Sequence, residues 1–208
     1  MIRIGIVLAL FLIGCASTPT ERSYYLLRAE APGDLAPADP DALLGIARPS
    51  IAKYLNRAGI VIQVGEHQVR EARYHLWAEP LDRGIRHYLS HRVSALLGRS
   101  LNTGPGTEDT WRYRIDVSVE EFHGTLNGEV RLVAYWSLQN QLNGTVIEAQ
   151  YFRRTRQQTG DGYPALVDAQ IELLDELAES IVQALRRMST SVQLRGLSRS
   201  AGRARLER

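Results

Sequence analysis

Apolar and polar residues alternate along this chain with two different periods, and the places where the period changes mark the predicted elements. Between residues 112 and 152 the period is two. Tyr113, Ile115, Val117 and Val119 alternate with Arg112, Arg114, Asp116, Ser118 and Glu120, and Val130, Leu132, Ala134, Trp136 and Leu138 alternate with mostly polar neighbours. A third run puts Ile147, Ala149 and Tyr151 opposite Glu148, Gln150 and Phe152. Successive side chains of a strand point to opposite faces, so each run predicts a strand with one face toward a core and the other partly wet. Asn127-Gly128 and Asn143-Gly144 separate the runs, and Asn-Gly is a strong hairpin signal because both residues tolerate positive φ. The three strands read as an antiparallel meander.

Two stretches have the helical period instead. Leu81, Ile85, Leu89, Val93 and Leu96 recur at helical spacing from Pro80, a residue suited to a first turn, until Gly98 stops the pattern. Asp82, Arg83, Arg86, His87 and Arg92 occupy the other side as a solvated face. From Tyr163 to about Met188, a stripe of Leu166, Gln170, Leu173, Leu174, Leu177, Ile181, Leu185 and Met188 predicts a second long helix that must pack on the sheet. Nearer the amino terminus, Tyr24 to Leu27, Gly45 to Ala47 and Ile60 to Val64 read as strands and Ser50 to Arg57 as a helical turn. Pro32, Gly33, Pro37 and Pro40 make residues 29–41 an exposed loop. The expected fold class is α+β, an antiparallel sheet with a C-terminal three-strand meander and two long helices packed on one face.

Charge separates the ends of the chain from its middle. The formal charge is +2, but residues 186–208 hold seven arginines against Glu207, and removing that tail and Arg3 leaves −5 for residues 15–185. The charge balance argues against a basic nucleic-acid-binding core, and no nucleic-acid partner is expected. Residues 191–208 lack the apolar surface to offset their ordering entropy and read as a basic disordered tail. Its arginines suit anionic lipid or an acidic partner, or are simply solvated.

Met1 to Arg3 followed by the apolar run Ile4 to Ile13 is a signal-peptide pattern, and the run is too short to cross a bilayer. Leu12-Ile13-Gly14-Cys15 resembles the bacterial lipobox, in which the cysteine is acylated and becomes the new first residue. The resulting division is a lipoprotein signal peptide over 1–14, a tether over 15–22, a domain over 23–190 and the tail. Cys15 is the expected lipidation site, and several acyl chains on one cysteine give a stable anchor. Ala16 stands where an aspartate would resemble an inner-membrane retention signal, which points to the periplasmic face of the outer membrane.

Catalytic and metal chemistry find little support in the residues. With Cys15 as the single cysteine, a multi-thiol metal site is excluded. His87 and His91 stand four apart, but Tyr88 follows His87, so the His-Glu-x-x-His zinc pattern is absent and two surface histidines are the simpler reading. Glu120 and Glu121 occupy successive strand positions and are expected to face opposite sides. The glycine clusters at 104–106 and 160–162 lack a phosphate-cradling context. The expectation is no enzyme, no catalytic or metal residues, and no cofactor beyond the covalent lipid.

Three short motifs carry a family resemblance: Ser23-Tyr24-Tyr25-Leu26-Leu27, then Tyr54-Leu55-Asn56-Arg57 ahead of Ile60-Val61, then Trp77-Ala78-Glu79-Pro80-Leu81. In this order behind a lipobox they resemble the ABC-type transport auxiliary lipoprotein family over residues 23–185, with Asn56 departing from an aspartate common in that family. The resemblance implies an outer-membrane lipoprotein. It would work with a mammalian-cell-entry (MCE) domain protein and inner-membrane transporter components, moving lipids or other hydrophobic molecules between the membranes and supporting envelope integrity. It gives Tyr54, Arg57 and Trp77 a role in the fold or in a partner surface. It also leaves a homo-oligomer open, because MCE proteins form rings or tubes and a matching lipoprotein ring would dock by symmetry. The alternative is an independent lipid- or small-molecule-binding lipoprotein with a cleft between meander and helices.

Overall fold

The computed structural model describes residues 21–29, 33–39, 43–104 and 106–206, with side chains through Met188. Cys15 and the signal segment 1–14 lie outside the described residues, as does most of the tether.

The strands are β1 (Ser23–Tyr25), β2 (Leu44–Ile46), β3 (Ser50–Ile51), β4 (Gly59–Gly65), β5 (Gln68–Trp77), β6 (Tyr113–Thr125), β7 (Glu129–Asn140) and β8 (Thr145–Gln157). The helices are α1 (Leu81–Leu97) and α2 (Gly162–Leu206), with a 3₁₀ turn at Glu108–Thr110. One sheet runs in the order β1-β5-β4-β6-β7-β8, and β2 and β3 also pair with β6. The α+β class, the meander and the two long helices are as expected, whereas the sheet as a whole is mixed. β6 explains why. Along one edge it pairs in turn with β2 at Tyr113–Ile115, β3 at Ser118–Val119 and β4 at Gly124–Thr125, all parallel, and along the other it pairs with β7 antiparallel. Three short strands thus form one interrupted line beside a single long strand. β1 adds to the far edge by pairing parallel with β5.

Three local expectations change. Residues 50–57 are not a helical turn throughout: Ser50–Ile51 pairs with β6, and a tight turn follows. Pro80 stands just before the first turn of α1, where its carbonyl accepts from the Arg83 and Gly84 amides. The first hairpin keeps Asn127 at negative φ. Gly128 alone is left-handed at φ 79°, and its amide donates to Thr125 O at 3.2 Å, a type I turn closed by a glycine bulge rather than a two-residue turn.

The core lies between the sheet and the two helices. Leu166, Leu173, Leu174, Leu177, Ile181 and Leu185 of α2 are buried against Val130, Leu132, Ala134, Trp136 and Leu138 of β7, while α1 contributes Leu81, Ile85, Tyr88, Leu89 and Val93. The helices are tied together where Tyr88 Oη donates to Asp175 at 2.9 Å and Arg92 pairs with the same carboxylate at 2.7 Å. Burial, and then the Asp175 carboxylate, push the Tyr88 hydroxyl well above the usual phenol range.

α2 also meets β8 through polar residues. Arg156 reaches Glu172 and Glu176 at 2.7 and 2.9 Å, Arg154 reaches Glu176 at 3.5 Å, Ser180 donates to Gln150 at 3.1 Å, and Arg187 reaches Glu148 at 3.5 Å. The helix continues to Leu206, through residues expected to be disordered. Arg, Leu, Gln and Ala in that stretch are good helix formers, and extending an existing helix avoids the nucleation cost.

At Gly45 a Cβ would fall 2.0 Å from Trp111 Cε2, and the indole is fixed by its N–H donating to Asn102 O at 2.8 Å. Gly45→Ala is therefore expected to destabilise the protein by about 1–3 kcal/mol through overpacking, read as a lower urea midpoint. An unchanged midpoint would show that the Trp111 seat is loose.

Candidate functional site

The face of the sheet turned away from the helices carries the residues that the core does not use. Its character comes from a register shift between Val119 and Glu121. Before it, Ile115, Val117 and Val119 face the core; after it, Phe122 does. Both Glu120 and Glu121 are therefore left on the outer side, contrary to the opposite facing expected for neighbours in a regular strand. Tyr151 Oη donates to Glu120 at 3.0 Å, and Glu121 lies 3.6 Å from His123 Nε2.

Residues 52–58 plug the gap between β3 and β4 along β6. The Ala52 amide donates to Val119 O at 2.8 Å, Leu55 enters the core, and Tyr54 Oη donates to Glu120 O at 3.1 Å with its ring 6.0 Å from that of His123. His123 is buried, with Nδ1 3.3 Å from Gly124 O. Burial holds its imidazole below the ordinary value against the opposing pull of the Gly124 carbonyl and Glu121. Burial, reinforced by Glu121, pushes the Tyr54 hydroxyl up to about 12. Beside this cluster Arg131 pairs with Glu129 at 2.5 Å and donates to Gln63 at 3.2 Å. Farther along the same face Tyr135 and Tyr151 are direct cross-strand partners, 45% and 55% exposed, with Arg153 over the Tyr151 ring at 5.9 Å. Two such side chains in the open on one face, beside a charged group, have the composition of a protein contact surface.

The other residues implied by the resemblance are not gathered in one place. Arg57 is exposed within the plug. Trp77 is buried on the helix side, stacked on Phe122 with centroids 6.4 Å apart, and its amide donates to Ala58 O at 2.8 Å. Trp77 therefore serves the fold, and Tyr54 with Arg57 belongs to the plug. Cys15 lies outside the described residues. His87 and His91 are exposed on α1, and among the described residues no cluster of three or more metal-type side chains forms. No described helix is long and apolar enough to cross a membrane. A cleft of about 520 Å³ opens where the end of α1, α2 and the start of β6 meet, with Leu97, Leu101, Tyr113, Leu185 and Met188 in its wall.

Comparison with known proteins gives this arrangement a class. The model of the ABC-type transport auxiliary lipoprotein component matches residues 24–182, and the chain belongs to that family. Among curated proteins it is 32% identical to the intermembrane transport lipoprotein PqiC of Escherichia coli (strain K12) over 184 residues, covering 86% of this chain and 95% of the relative. A protein of the same name from Shigella flexneri matches equally well. A crystal structure of a protein without an assigned role superposes with a TM-score of 0.67 at 28% identity, covering 79% of this chain and 99% of the other. A Xanthomonas campestris protein shares the fold at a TM-score of 0.61 and 15% identity, covering 81% and 99%.

Sequence reasoning missed β5, the outward pair Glu120 and Glu121, and the His123 seat. The signal for the last two was the break in alternation at residues 119–122, where an apolar residue arrives one position late.

The unfolded chain protonates His123 near the ordinary 6.5, before the folded protein does. The contribution of its neutral form is thus complete above that value and is lost as pH falls toward the lower folded value. Urea midpoints should drop as pH is lowered past the ordinary imidazole value near 6.5, and the drop should be smaller in His123→Gln. Equal drops in both proteins would show that His123 does not set this pH dependence.

Proposed function

We propose that this chain is a non-catalytic, lipid-anchored subunit of a transenvelope transport complex. In this reading Cys15 is acylated and holds the domain at the periplasmic face of the outer membrane. The domain docks on an MCE-domain protein that works with inner-membrane transporter components to move lipids or other hydrophobic molecules. The observation that carries the reading is the extent of the family match. It runs from β1 into α2 and takes in every strand, so the whole fold, rather than an appended module, corresponds to the transport auxiliary unit. The outer sheet face is the docking surface, because Tyr135, Tyr151 and Arg153 stand there without helices over them, next to the plug that carries Tyr54 and Arg57. A ring of copies would match a partner ring by symmetry.

The 520 Å³ cleft, whose lining mixes Leu44, Leu97 and Leu101 with Asp39, Arg99 and Arg186, favours a second reading, an independent carrier of a lipid or small molecule, since clefts of this size suit small ligands. One experiment separates the two. The full-length protein is purified in mild detergent from its own membranes, and what remains bound is identified by mass spectrometry. Stoichiometric recovery of an MCE protein supports the docking subunit; recovery of the lipoprotein alone with a bound small molecule supports the carrier. Cys15→Ser should abolish incorporation of labelled palmitate and release the protein from outer-membrane fractions. Retention of label in that variant would show the anchor to be elsewhere.

A further inference from the structure

A second cleft, about 450 Å³, lies between the chain that leaves β1 and the outer side of α1. Its walls are Leu27, Ala29 and Tyr88, and its remaining lining is Arg28, His87 and His91. Leu27 and Tyr88 are each 3% exposed, so the apolar wall is continuous with the core, whereas Arg28, His87 and His91 are exposed. An apolar wall beside a basic rim is the arrangement an anionic amphiphile requires. We propose that this cleft binds the phosphate-bearing headgroup of a membrane lipid.

The chemistry fits each part. The guanidinium of Arg28 offers a planar fork of N–H donors that matches two phosphate oxygens. His87 and His91, four residues apart, present their rings on one face of α1. Glu79 lies 3.5 Å from His87 Nδ1, so in the imidazolium form Nε2–H is the donor left for an anion. The other carboxylate close to Tyr88, Asp175, is engaged by Arg92 and by Tyr88 itself, and Arg83 adds a further exposed cation to α1. Volume and lining separate a lipid from free phosphate. The cleft is within the range of small-molecule sites, and the half-buried Ala29 with the edges of Leu27 and Tyr88 offers an apolar contact that a bare anion would not use.

Position supplies the lipid, and here the inference rests on the proposed acylation of Cys15. Seven residues separate Cys15 from Ser23, so eight steps of about 3.5 Å in an extended chain put the start of β1 within about 28 Å of the anchor. The cleft begins two residues past the end of β1.

The test uses the full chain in its own membrane. A photo-crosslinking residue is placed at position 91 in cells grown with radioactive phosphate, and a second at position 142, in the β7–β8 turn at the opposite edge of the sheet. Illumination should give a phosphorus-labelled adduct at 91 and none at 142. Arg28→Glu should reduce the label about tenfold, the loss of one charge-assisted contact, and His87→Gln should reduce it several-fold. Both side chains are exposed, so both variants should keep the parent's melting temperature. The proposal is overturned by no label at 91, by equal label at 142, or by label that Arg28→Glu leaves unchanged. Titration of the purified protein with inorganic phosphate, followed at the imidazole resonances, distinguishes the sources. Saturation there without any adduct assigns the cleft to a free anion and overturns the lipid assignment. Protein that fractionates with the outer membrane yet stays unlabelled defeats this inference and leaves the anchor standing; release from the membrane defeats the anchor.

Discussion

Burial of the apolar stripe of α2 against one face of the β6–β7–β8 meander is the constraint on which the rest depends. Six leucine and isoleucine side chains of that stripe are buried, a gross gain on the order of 10 kcal/mol. The ion pairs that run beside it, from Arg156 with Glu172 and Glu176 to Arg187 with Glu148, are partly exposed and worth about 0–1 kcal/mol each. The apolar stripe therefore holds α2 down, and the polar ladder fixes where along β8 it lies. Because α2 takes one face of the meander and α1 packs beside it, the other face is left for something else.

What that outer face displays is decided by one extra residue in β6. A regular strand would send Glu120 and Glu121 to opposite sides; the bulge keeps both outside and turns Phe122 into the core. It brings Glu121 beside the buried His123, under the ring of Tyr54, and leaves Glu120 to receive the hydroxyl of Tyr151. A plug between two interrupted strands, a bulge and a pair of open tyrosines thus share one surface, and each follows from the way β2, β3 and β4 take turns along β6.

Much of this was legible in the residues. Strict alternation over 113–119 and 130–138 located the meander and its inward face, and the stripe from Leu166 to Met188 located α2, because burial on one side forces those periods. β5 was not legible: Gln68, Arg70, Glu71 and Arg73 are exposed and bear no periodic apolar partner, since the strand is held by pairing with β4 rather than by burial along its length. In β8 the set Ile147, Ala149 and Tyr151, which looks apolar, faces water, while Glu148, Gln150 and Arg154 face α2. Polar partners four residues apart on a distant helix produce that inversion, and no local pattern reports it. Tyr54 and Arg57 came from the family resemblance, and the plug that unites them emerged from the topology.

The helices seal one side of the sheet, and the open side is the one proposed to meet the transport partner. Hydrogen–deuterium exchange of the full chain, alone and in complex with the MCE-domain protein proposed as its partner, tests this arrangement. Protection confined to residues 52–58, 118–123, 133–137 and 149–153 is expected. Protection confined to the exposed faces of α1 and α2, with the outer sheet face exchanging as in the free protein, would contradict it.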